Sequence, residues 1–410
     1  MKVIRTFHPI GQGAFYSESF FYNEKIINII YDCGSLTDLT KVKKEIEKTF
    51  PKDTDIDALF ISHFDSDHVN GIPFLITHCN VKNIFFPIIS EEDKILLRIK
   101  AILEDTVNYF ANDFLEKPQQ AITNLINLKS EKNDIPKLVG VRTNNEDILH
   151  NNQDYTYTIS SGTDVSDIIS SNFKNFNWEF VPYNFKQNER IKELKAQLEK
   201  KIKYSPEQLL TLLQDKKDSD FAKNMIKELR DIYKKISGTP NSNSMTLFSG
   251  ITNNTIFKQE LRNYKFNLDK NTNSIITNPL CTRNLDKEKQ KAIIRNHFSH
   301  AYSINYTKNT GCLYTGDFDA SNEDQFFSLK AKYNNYWEYI QYIQVPHHGA
   351  KNNFNDKFIH SNKIYIISAG SKNQYNHPHG EVLREILVKN AHVFIVNEHK
   401  WSLVSCCIQL

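Results

Sequence analysis

Three zones with different hydrophobic patterns follow one another along the chain. Up to residue 89, short apolar or alternating runs rich in β-forming residues predict strands. These runs are Val3–Phe7, Phe15–Tyr22, Ile26–Tyr31 and Ala58–Ser62. Helical spacing appears between them at Leu39–Phe50, and Pro51 ends that helix. Strands with an intervening helix are typical of a sheet covered by helices.

Residues 90–238 show the spacing of amphipathic helices instead. The predicted helical segments are Glu91–Leu115, Ala121–Leu128, Glu189–Ile202 and Pro206–Ile236. Strand patterns return in residues 239–410, at Met245–Ser249, Ala301–Tyr306, Gly311–Thr315, Ile340–Val345, Ile364–Ser368 and His392–Val396. We therefore predict one α/β domain in two parts, 1–89 and 239–410, with a mainly helical subdomain inserted at 90–238.

The distribution of charge adds one feature to this picture. Over all 410 residues, 51 Lys and Arg against 48 Asp and Glu give a net charge of +3, which does not by itself indicate nucleic-acid binding. Residues 186–235 alone hold 14 basic and 9 acidic residues. Such an excess is typical of a solvated helix face. The alternative is a basic flap that holds a polyanionic substrate or a partner protein.

Cysteine usage and hydropathy limit the cellular setting. The six cysteines include no CxxC pair, so reduced thiols are the simplest interpretation. No apolar run approaches the roughly 18 residues that a membrane span requires, and the first ten residues lack the apolar core of a signal peptide. We expect a cytoplasmic globular protein without membrane contact.

The clearest chemical signal lies in the segment from Ile61 to Gly71. An apolar strand leads directly into His63, Asp65, Asp67 and His68. Residues 63, 65 and 67 project to the same side of an extended chain, and His68 turns inward as a helix begins. Four potential ligands this close together can serve two neighbouring metal ions. A polar loop with capping residues explains this density poorly.

The same segment resembles the HxHxDH signature of the metallo-β-lactamase superfamily, with Asp65 in place of the second histidine. This variant is similar to the ComEC-type branch, the hydrolase domain of DNA-uptake proteins. Further segments resemble family motifs in the same order: Pro9–Gly13, Ile30–Gly34, Asn241–Met245, Leu313–Asp317, Val345–Gly349 and Ser368–His379. The resemblance implies an α/β fold, the αββα sandwich of two mixed sheets, with these motifs converging at one end.

The resemblance also implies a set of metal ligands. They are His63, Asp65, Asp67, His68, Asp317, His347 and His377, with Asp317 bridging the two ions. Asp32 is expected to orient the histidine–aspartate loop through hydrogen bonds. Asn243 and Ser244 lie where metallo-β-lactamases usually carry a further histidine, and we expect them to support the ligands.

The sequence alone does not decide which of two adjacent histidines binds metal and which takes part in catalysis. His347 and His348 are adjacent and project in different directions, so at most one of them is expected to bind a given metal. The other would orient a ligand or protonate a leaving group. Our working assignment makes His347 the ligand and gives catalytic roles to Asp67, His348 and His379.

Two positions near these motifs are assigned to substrate binding. The family serine after the HHG motif is Ala350 here, and Lys351 follows it. A hydroxyl is lost and a cation is gained, so we assign Lys351, together with Asn373, to the substrate. The inserted subdomain leaves the core after Ile84–Phe86 and returns before Met245, so we expect it beside the mouth of the site.

The expected cofactors are two divalent metal ions, Mn²⁺ or Zn²⁺, because Asp65 adds a hard oxygen ligand to a histidine-rich set. The resemblance implies hydrolysis of a phosphodiester in DNA, RNA or a nucleotide, and an association with bacterial antiphage defence. Since no membrane segment is present, a stand-alone hydrolase is expected. The alternatives are an ester, lactone or thioester hydrolase, and a regulatory or sensor subunit that binds a partner protein through the inserted helices.

Overall fold

The structure is a computed structural model. It describes residues 1–103, 108–129, 134–143, 155–185, 196–197, 200, 204–215, 220–235, 244–252, 257–263, 302–307, 309–321 and 323–409. Two large sheets hold most of the strands in these ranges. The strands are β1 (Lys2–Phe7), β2 (Gly13–Tyr22), β3 (Lys25–Ser35), β4 (Asp55–Ile56), β5 (Ala58–Phe60), β6 (Asn80–Val81), β7 (Asn83–Pro87), β8 (Lys137–Arg142), β9 (Tyr157–Ser160), β10 (Trp178–Tyr183), β11 (Thr246–Ile251), β12 (Phe257–Asn263), β13 (Tyr302–Thr307), β14 (Gly311–Tyr314), β15 (Ile340–Gln344), β16 (Ile364–Ser368), β17 (His392–Val396) and β18 (Val404–Gln409).

The α-helices lie mainly outside these sheets. They are α1 (Leu39–Thr49), α2 (Ser66–Val69), α3 (Ile72–His78), α4 (Glu91–Leu103), α5 (Tyr109–Glu116), α6 (Pro118–Ile126), α7 (Ser166–Ile169), α8 (Pro206–Asp215), α9 (Asp220–Lys235), α10 (Glu323–Lys332) and α11 (Gly380–Val388). Asp38 begins α1 by accepting a hydrogen bond from the Thr40 amide. The buried face of α3 is formed by Ile72, Leu75 and Ile76.

The first sheet has the order β13-β12-β18-β1-β2-β3-β5-β7-β8-β9, and the second has the order β10-β11-β14-β15-β16-β17. Both sheets are mixed. Strands β3, β5, β7, β8 and β9 are parallel to one another, as are β14, β15, β16 and β17. The carboxyl ends of parallel strands lie at one edge, where ligand sites of α/β proteins form.

Three apolar clusters show the order of the layers. The first lies between the two sheets and includes Phe20 of β2, Phe60 of β5 and Trp178 of β10. The second joins the outer face of the first sheet to helices α1, α3, α5 and α6. The third joins the outer face of the second sheet to α10 and α11. Two sheets with helices on both outer faces form an αββα sandwich, so the predicted fold class is confirmed.

The predicted insertion differs from the structure in its middle part. Strands β8 and β9 extend the first sheet, and β10 forms the edge of the second. Val139, Val141 and Phe180 on these strands are fully buried. Apolar runs this short do not distinguish a strand from a buried helical turn, and long helical patterns flank them on both sides. The described chain between residues 134 and 185 is therefore largely part of the sandwich.

Helices dominate the two flanking parts of the predicted insertion. Helices α4, α8 and α9 form a fourth apolar cluster with Leu96, Leu209 and Leu229 among its buried residues. Helices α5 and α6 pack on the first sheet instead. Most of the predicted helix Glu189–Ile202 lies outside the described residues. Among the helices that the structure describes, none is both long enough and apolar enough to cross a membrane.

Candidate metal centre

The histidine–aspartate loop begins where β5 ends, in the middle of the first sheet. Asp32, on the neighbouring strand β3, holds this loop through three hydrogen bonds. Its carboxylate accepts from the Ser62 amide at 2.7 Å, from the Ser62 hydroxyl at 2.6 Å and from Nδ1 of His68 at 2.8 Å. All three residues are fully buried. Asp32 therefore fixes both the backbone of the loop and the orientation of the His68 ring.

Asp317 reaches the same place from the end of β14 in the second sheet. Gly316 before it has φ +54°, and a Cβ there would lie 2.8 Å from Ser244 Oγ and from Ser62 Cβ, so only glycine fits this turn. The side chain of Gln344 accepts hydrogen bonds from the Thr315 and Gly316 amides. The Ser244 hydroxyl accepts from the Asp317 amide at 2.7 Å. The turn that carries Asp317 is thus held on both sides.

His347 and His348 follow β15 with left-handed backbone conformations, φ 47° and 56°. Two successive non-glycine residues in this region store strain, which structures keep mainly at functional sites. His347 Nδ1 lies 2.8 Å from Asn353 Oδ1, and His348 Nδ1 lies 2.8 Å from the Ser368 carbonyl oxygen. The strained backbone thereby directs both Nε2 atoms towards the aspartates.

These elements bring two groups of ligand atoms around the two oxygens of Asp317. His68 Nε2 lies 3.2 Å and His348 Nε2 3.8 Å from Oδ1. His63 Nε2 lies 3.6 Å and His347 Nε2 3.5 Å from Oδ2. Each carboxylate oxygen therefore faces a different pair of histidines.

The loop aspartates divide between the two groups in the same way. Asp67 Oδ2 is 3.0 Å from His348 Nε2, and Asp65 Oδ2 is 3.9 Å from His63 Nε2. Two compact sets of possible metal ligands result, His63 with His68 and Asp317, and Asp67 with His68 and His348. Every residue of the two sets is buried.

The protonation pattern of the histidines fits bound cations. A carbonyl oxygen can only accept, so His348 carries a proton on Nδ1, and its Nε2 faces the carboxylate of Asp67 at 3.0 Å. Two acceptor atoms this close are held together by a cation, either a proton on Nε2 or a metal ion. Nε2 of His63, Nε2 of His68 and Oδ1 of Asp317 are buried without a hydrogen-bond partner in the part of the chain that the structure describes. Metal ions would satisfy these atoms.

The electrostatics of the cluster point in the same direction. Burial disfavours the protonated form of His68, but the carboxylates of Asp317, Asp32 and Asp67 outweigh burial and raise its pKa. Burial also disfavours the carboxylate of Asp317, yet the positive charge of the surrounding histidines, His347 foremost, holds its pKa well below the usual range. Asp317 therefore stays ionised, and its carboxylate attracts positive charge.

The structure gives His377 and His379 a peripheral position. The His377 ring lies 5.4 Å from the His347 ring and outside both compact sets, so its assignment as a metal ligand stays a prediction. Burial, followed by the charges of His348, His347 and His379, lowers the pKa of His377 to about 3. The His379 ring is 5.2 Å from that of His377, and its Nδ1 accepts a hydrogen bond from the Lys351 amide.

Other assigned residues have contacts that differ from those expected. Both hydrogens of the Asn373 amide group go to the carbonyls of Gly370 and His377, and its oxygen accepts from the amides of Tyr375 and His377. Asn373 therefore holds its own loop together and has little capacity left for a substrate.

Lys351 forms an exposed ion pair with Glu381, which competes with the expected substrate contact. His348, expected to transfer protons, has both ring nitrogens engaged with Ser368 and Asp67 and lies within a ligand set. Asn243 lies outside the described residues. Ser244 contacts His63 Nδ1 at 3.1 Å in addition to the Asp317 amide.

Three supporting residues had no signal in the sequence. Ser62 links Asp32 to His63, Asn353 orients His347, and Gln344 holds the turn before Asp317. Serine, asparagine and glutamine are common in loops and strand ends, and only the fold shows which of them face the histidines. The adjacency of Ser62 to His63 was the one available hint.

One inserted helix touches the histidine–aspartate loop directly. Phe64, between His63 and Asp65, packs against Phe114 of α5 with ring centroids 5.7 Å apart. Phe114 also meets Phe86 of β7 at 5.0 Å. The described part of the predicted insertion thus contributes at least one helix beside the candidate centre.

Comparison with known families agrees with this geometry. Residues 14–93 match the sequence profile of the metallo-beta-lactamase superfamily. The match covers β2 through the start of α4 and includes His63, Asp65, Asp67 and His68. No curated protein matches the chain. The family match and the buried histidine–aspartate sets together suggest a metal-dependent hydrolase.

Proposed function

We propose that this chain is a two-metal phosphodiesterase or nuclease that acts on DNA, RNA or a nucleotide. The observation that carries the proposal is the position of the Asp317 carboxylate. Its two oxygens face different histidine pairs at 3.2–3.8 Å. A carboxylate that faces one histidine pair with each oxygen is suited to hold two metal ions side by side. Such pairs suit in-line displacement at phosphorus.

The charges of the site favour an anionic phosphodiester over a neutral ester. Asp65, Asp67 and Asp317 carry the negative charge near the ligand atoms. Three carboxylates offset most, but not all, of the charge of two divalent ions, so the loaded centre would remain positive. Mn²⁺ or Zn²⁺ suits a set that mixes imidazole and carboxylate. A carboxylic ester or lactone gains less from such a centre.

Divalent ions held by these residues would polarise a phosphoryl oxygen and make a water molecule more acidic. The chain itself supplies orientation and a hydrogen-bond donor. Asp32 and Asn353 hold His68 and His347 in the tautomer that exposes Nε2. The His379 ring accepts at Nδ1 from the Lys351 amide, so its proton lies on Nε2. We assign His379 a catalytic role in which this Nε2–H donates a hydrogen bond to the departing oxygen as negative charge develops on it.

The finer identity follows from the sequence motifs. We place the chain in the ComEC-type branch and propose that it works in the cytoplasm, in antiphage defence. The histidine exchange at Asp65 supports the branch. The contact between Phe64 and Phe114 supports a role for the inserted helices near the substrate.

Asp67→Asn tests the proposal. We expect the parent to hydrolyse bis(p-nitrophenyl) phosphate with Mn²⁺ or Zn²⁺, and the variant to lose roughly 100-fold or more, because an amide neither carries the charge nor binds metal as strongly. Asp38→Asn is the matched control, since asparagine caps α1 as well as aspartate does. If the parent cleaves esters and lactones but no phosphodiester, the proposed substrate class is wrong and the ester or lactone hydrolase is the better assignment. If the parent binds no metal, the alternative that the chain is a regulatory or sensor subunit is favoured.

A further inference from the structure

One aromatic ring stands exposed directly beside the candidate centre. Tyr375 is 43% exposed and lies on the loop between β16 and α11. Its ring stacks on that of His377, with centroids 5.7 Å apart and planes 27° from parallel. His377 in turn lies 5.4 Å from His347, whose Nε2 faces Asp317. A chain of rings therefore leads from the metal ligands to the surface.

The loop that carries Tyr375 is held rigidly. Asn373 makes four hydrogen bonds across it, one of them from the Tyr375 amide at 3.1 Å. At the start of the loop, Ser371 donates through its amide and its hydroxyl to the carboxylate of Glu398. The exposed ring is therefore presented in a fixed place, which lowers the entropy cost of stacking a ligand on it.

We propose that Tyr375 stacks an unpaired nucleobase next to the scissile phosphate, so that the substrate is single-stranded nucleic acid rather than a duplex. A base can lie flat on the ring only when it has left its own stack and its pairing partner. Aromatic stacking is largely independent of base identity, so the site would accept many sequences. The exposed Lys372 on the same loop is placed to attract an adjacent phosphate. This inference rests on the proposed phosphodiesterase activity.

The test compares substrates with and without a base. Thymidine 5′-(p-nitrophenyl phosphate) carries a base beside the scissile phosphate, and methyl p-nitrophenyl phosphate carries none. We expect Tyr375→Ala to lower the ratio of their kcat/KM values roughly 5- to 100-fold, the scale of one base–aromatic stack. Tyr375→Phe should keep the ratio, because stacking needs the ring and not the hydroxyl. Phe327→Ala removes an exposed ring that contacts Phe326 and Lys357, and should also keep it.

A second comparison addresses the strand state of the substrate. The parent should cleave a single-stranded 12-nucleotide DNA faster than the same strand in a duplex, and Tyr375→Ala should narrow this preference. An equal loss of kcat/KM on both p-nitrophenyl substrates would mean that Tyr375 only supports His377. That result overturns this inference and leaves the proposed phosphodiesterase activity standing. Equal cleavage of single strand and duplex by the parent overturns it as well. A parent inactive on every phosphodiester overturns the proposed function, and the inference with it.

Discussion

Two buried clusters of charged side chains lie within the same sandwich, and their polar atoms are satisfied in different ways. One is the candidate metal centre at the strand ends. The other links the two sheets near their middle, where Arg5 of β1 donates from Nε to Glu18 of β2 at 2.7 Å. Arg5 also donates to the carbonyls of Thr310 and Ser249, and Ser249 Oγ donates to Glu18. We call this second cluster the Arg5–Glu18 network.

Every nitrogen of the Arg5 guanidinium and both oxygens of Glu18 have a protein partner. In the candidate metal centre, by contrast, His63 Nε2, His68 Nε2 and Asp317 Oδ1 have none within the described chain. A buried charge is tolerated when it is paired and hydrogen-bonded, and is costly otherwise. The network is therefore complete in the protein alone, whereas the centre has buried ligand atoms that bound cations would satisfy.

This contrast distinguishes a buried charged cluster that stabilises the fold from one that can bind metal ions. Both clusters contain fully buried ionisable groups, so burial alone does not distinguish them. The orientation of the rings does distinguish them. In the centre, the Nδ1 atoms of His68, His347 and His348 are bound to the protein and their Nε2 atoms converge on aspartates. Histidines held at Nδ1 with Nε2 atoms directed at a common point are typical of a metal site.

The largest expected effect is on the Arg5–Glu18 network. Glu18→Ala should lower the free energy of unfolding by about 3–5 kcal/mol, because it leaves Arg5 buried without its carboxylate. Urea unfolding followed by circular dichroism measures this. Glu47→Ala on the exposed face of α1 is the control and should stay within about 0.5 kcal/mol of the parent. A loss below about 1 kcal/mol for Glu18→Ala would show that the pair contributes little.

Removal of metal ions by a chelator should destabilise the candidate metal centre and leave the Arg5–Glu18 network unchanged. With free metal at about 100 times its dissociation constant, bound ions stabilise the fold by about 2.7 kcal/mol per site, so EDTA should lower the Tm of the parent. The EDTA shift should persist in Glu18→Ala and shrink in Asp67→Asn. Thermal unfolding with and without EDTA gives both values. If the EDTA shift in Tm is lost in Glu18→Ala but kept in Asp67→Asn, the metal-dependent cluster is the Arg5–Glu18 network, and the comparison is wrong.

A smaller effect is expected from the supporting residues. Asn353→Ala removes the partner of His347 Nδ1, and we expect a 10- to 100-fold loss in apparent metal affinity, the usual scale for such partners. Asn353→Asp keeps an acceptor at the same place and should restore most of the affinity. The readout is activity against titrated Mn²⁺, with Tm measured in parallel to separate loss of folding. Equal metal affinity in all three proteins would contradict the role of Asn353.

Local patterns predicted strands with covering helices and a dense ligand segment after one of them, and the resemblance of short motifs to a known family implied the sandwich. Short apolar runs such as Ile26–Tyr31 became strands, and the dense ligand segment at His63–His68 follows a central strand as expected. Strands β8 and β10 were missed, since Leu138–Val141 and Phe180–Val181 are too short to show a period. Their burial depends on contacts with distant strands.

The details of the site depend on backbone geometry that residue type does not encode. His347 and His348 both have φ above +45°, which lets each ring face a different oxygen of Asp317. From the sequence, only the difference in their directions was predictable, and not which of them approaches Asp67. Asn373 looked like a polar residue available to substrate, but the turn of its loop places four partners around its amide.

The metal content of the purified chain tests the central claim most directly. After dialysis against Mn²⁺ or Zn²⁺, elemental analysis should find about two ions per chain in the parent and in Asp38→Asn. Asp317→Asn should bind fewer, because an asparagine offers one oxygen where two ligand sets need one each. A parent that binds no ion or a single ion contradicts the account. So does an Asp317→Asn variant that holds both ions as tightly as the parent.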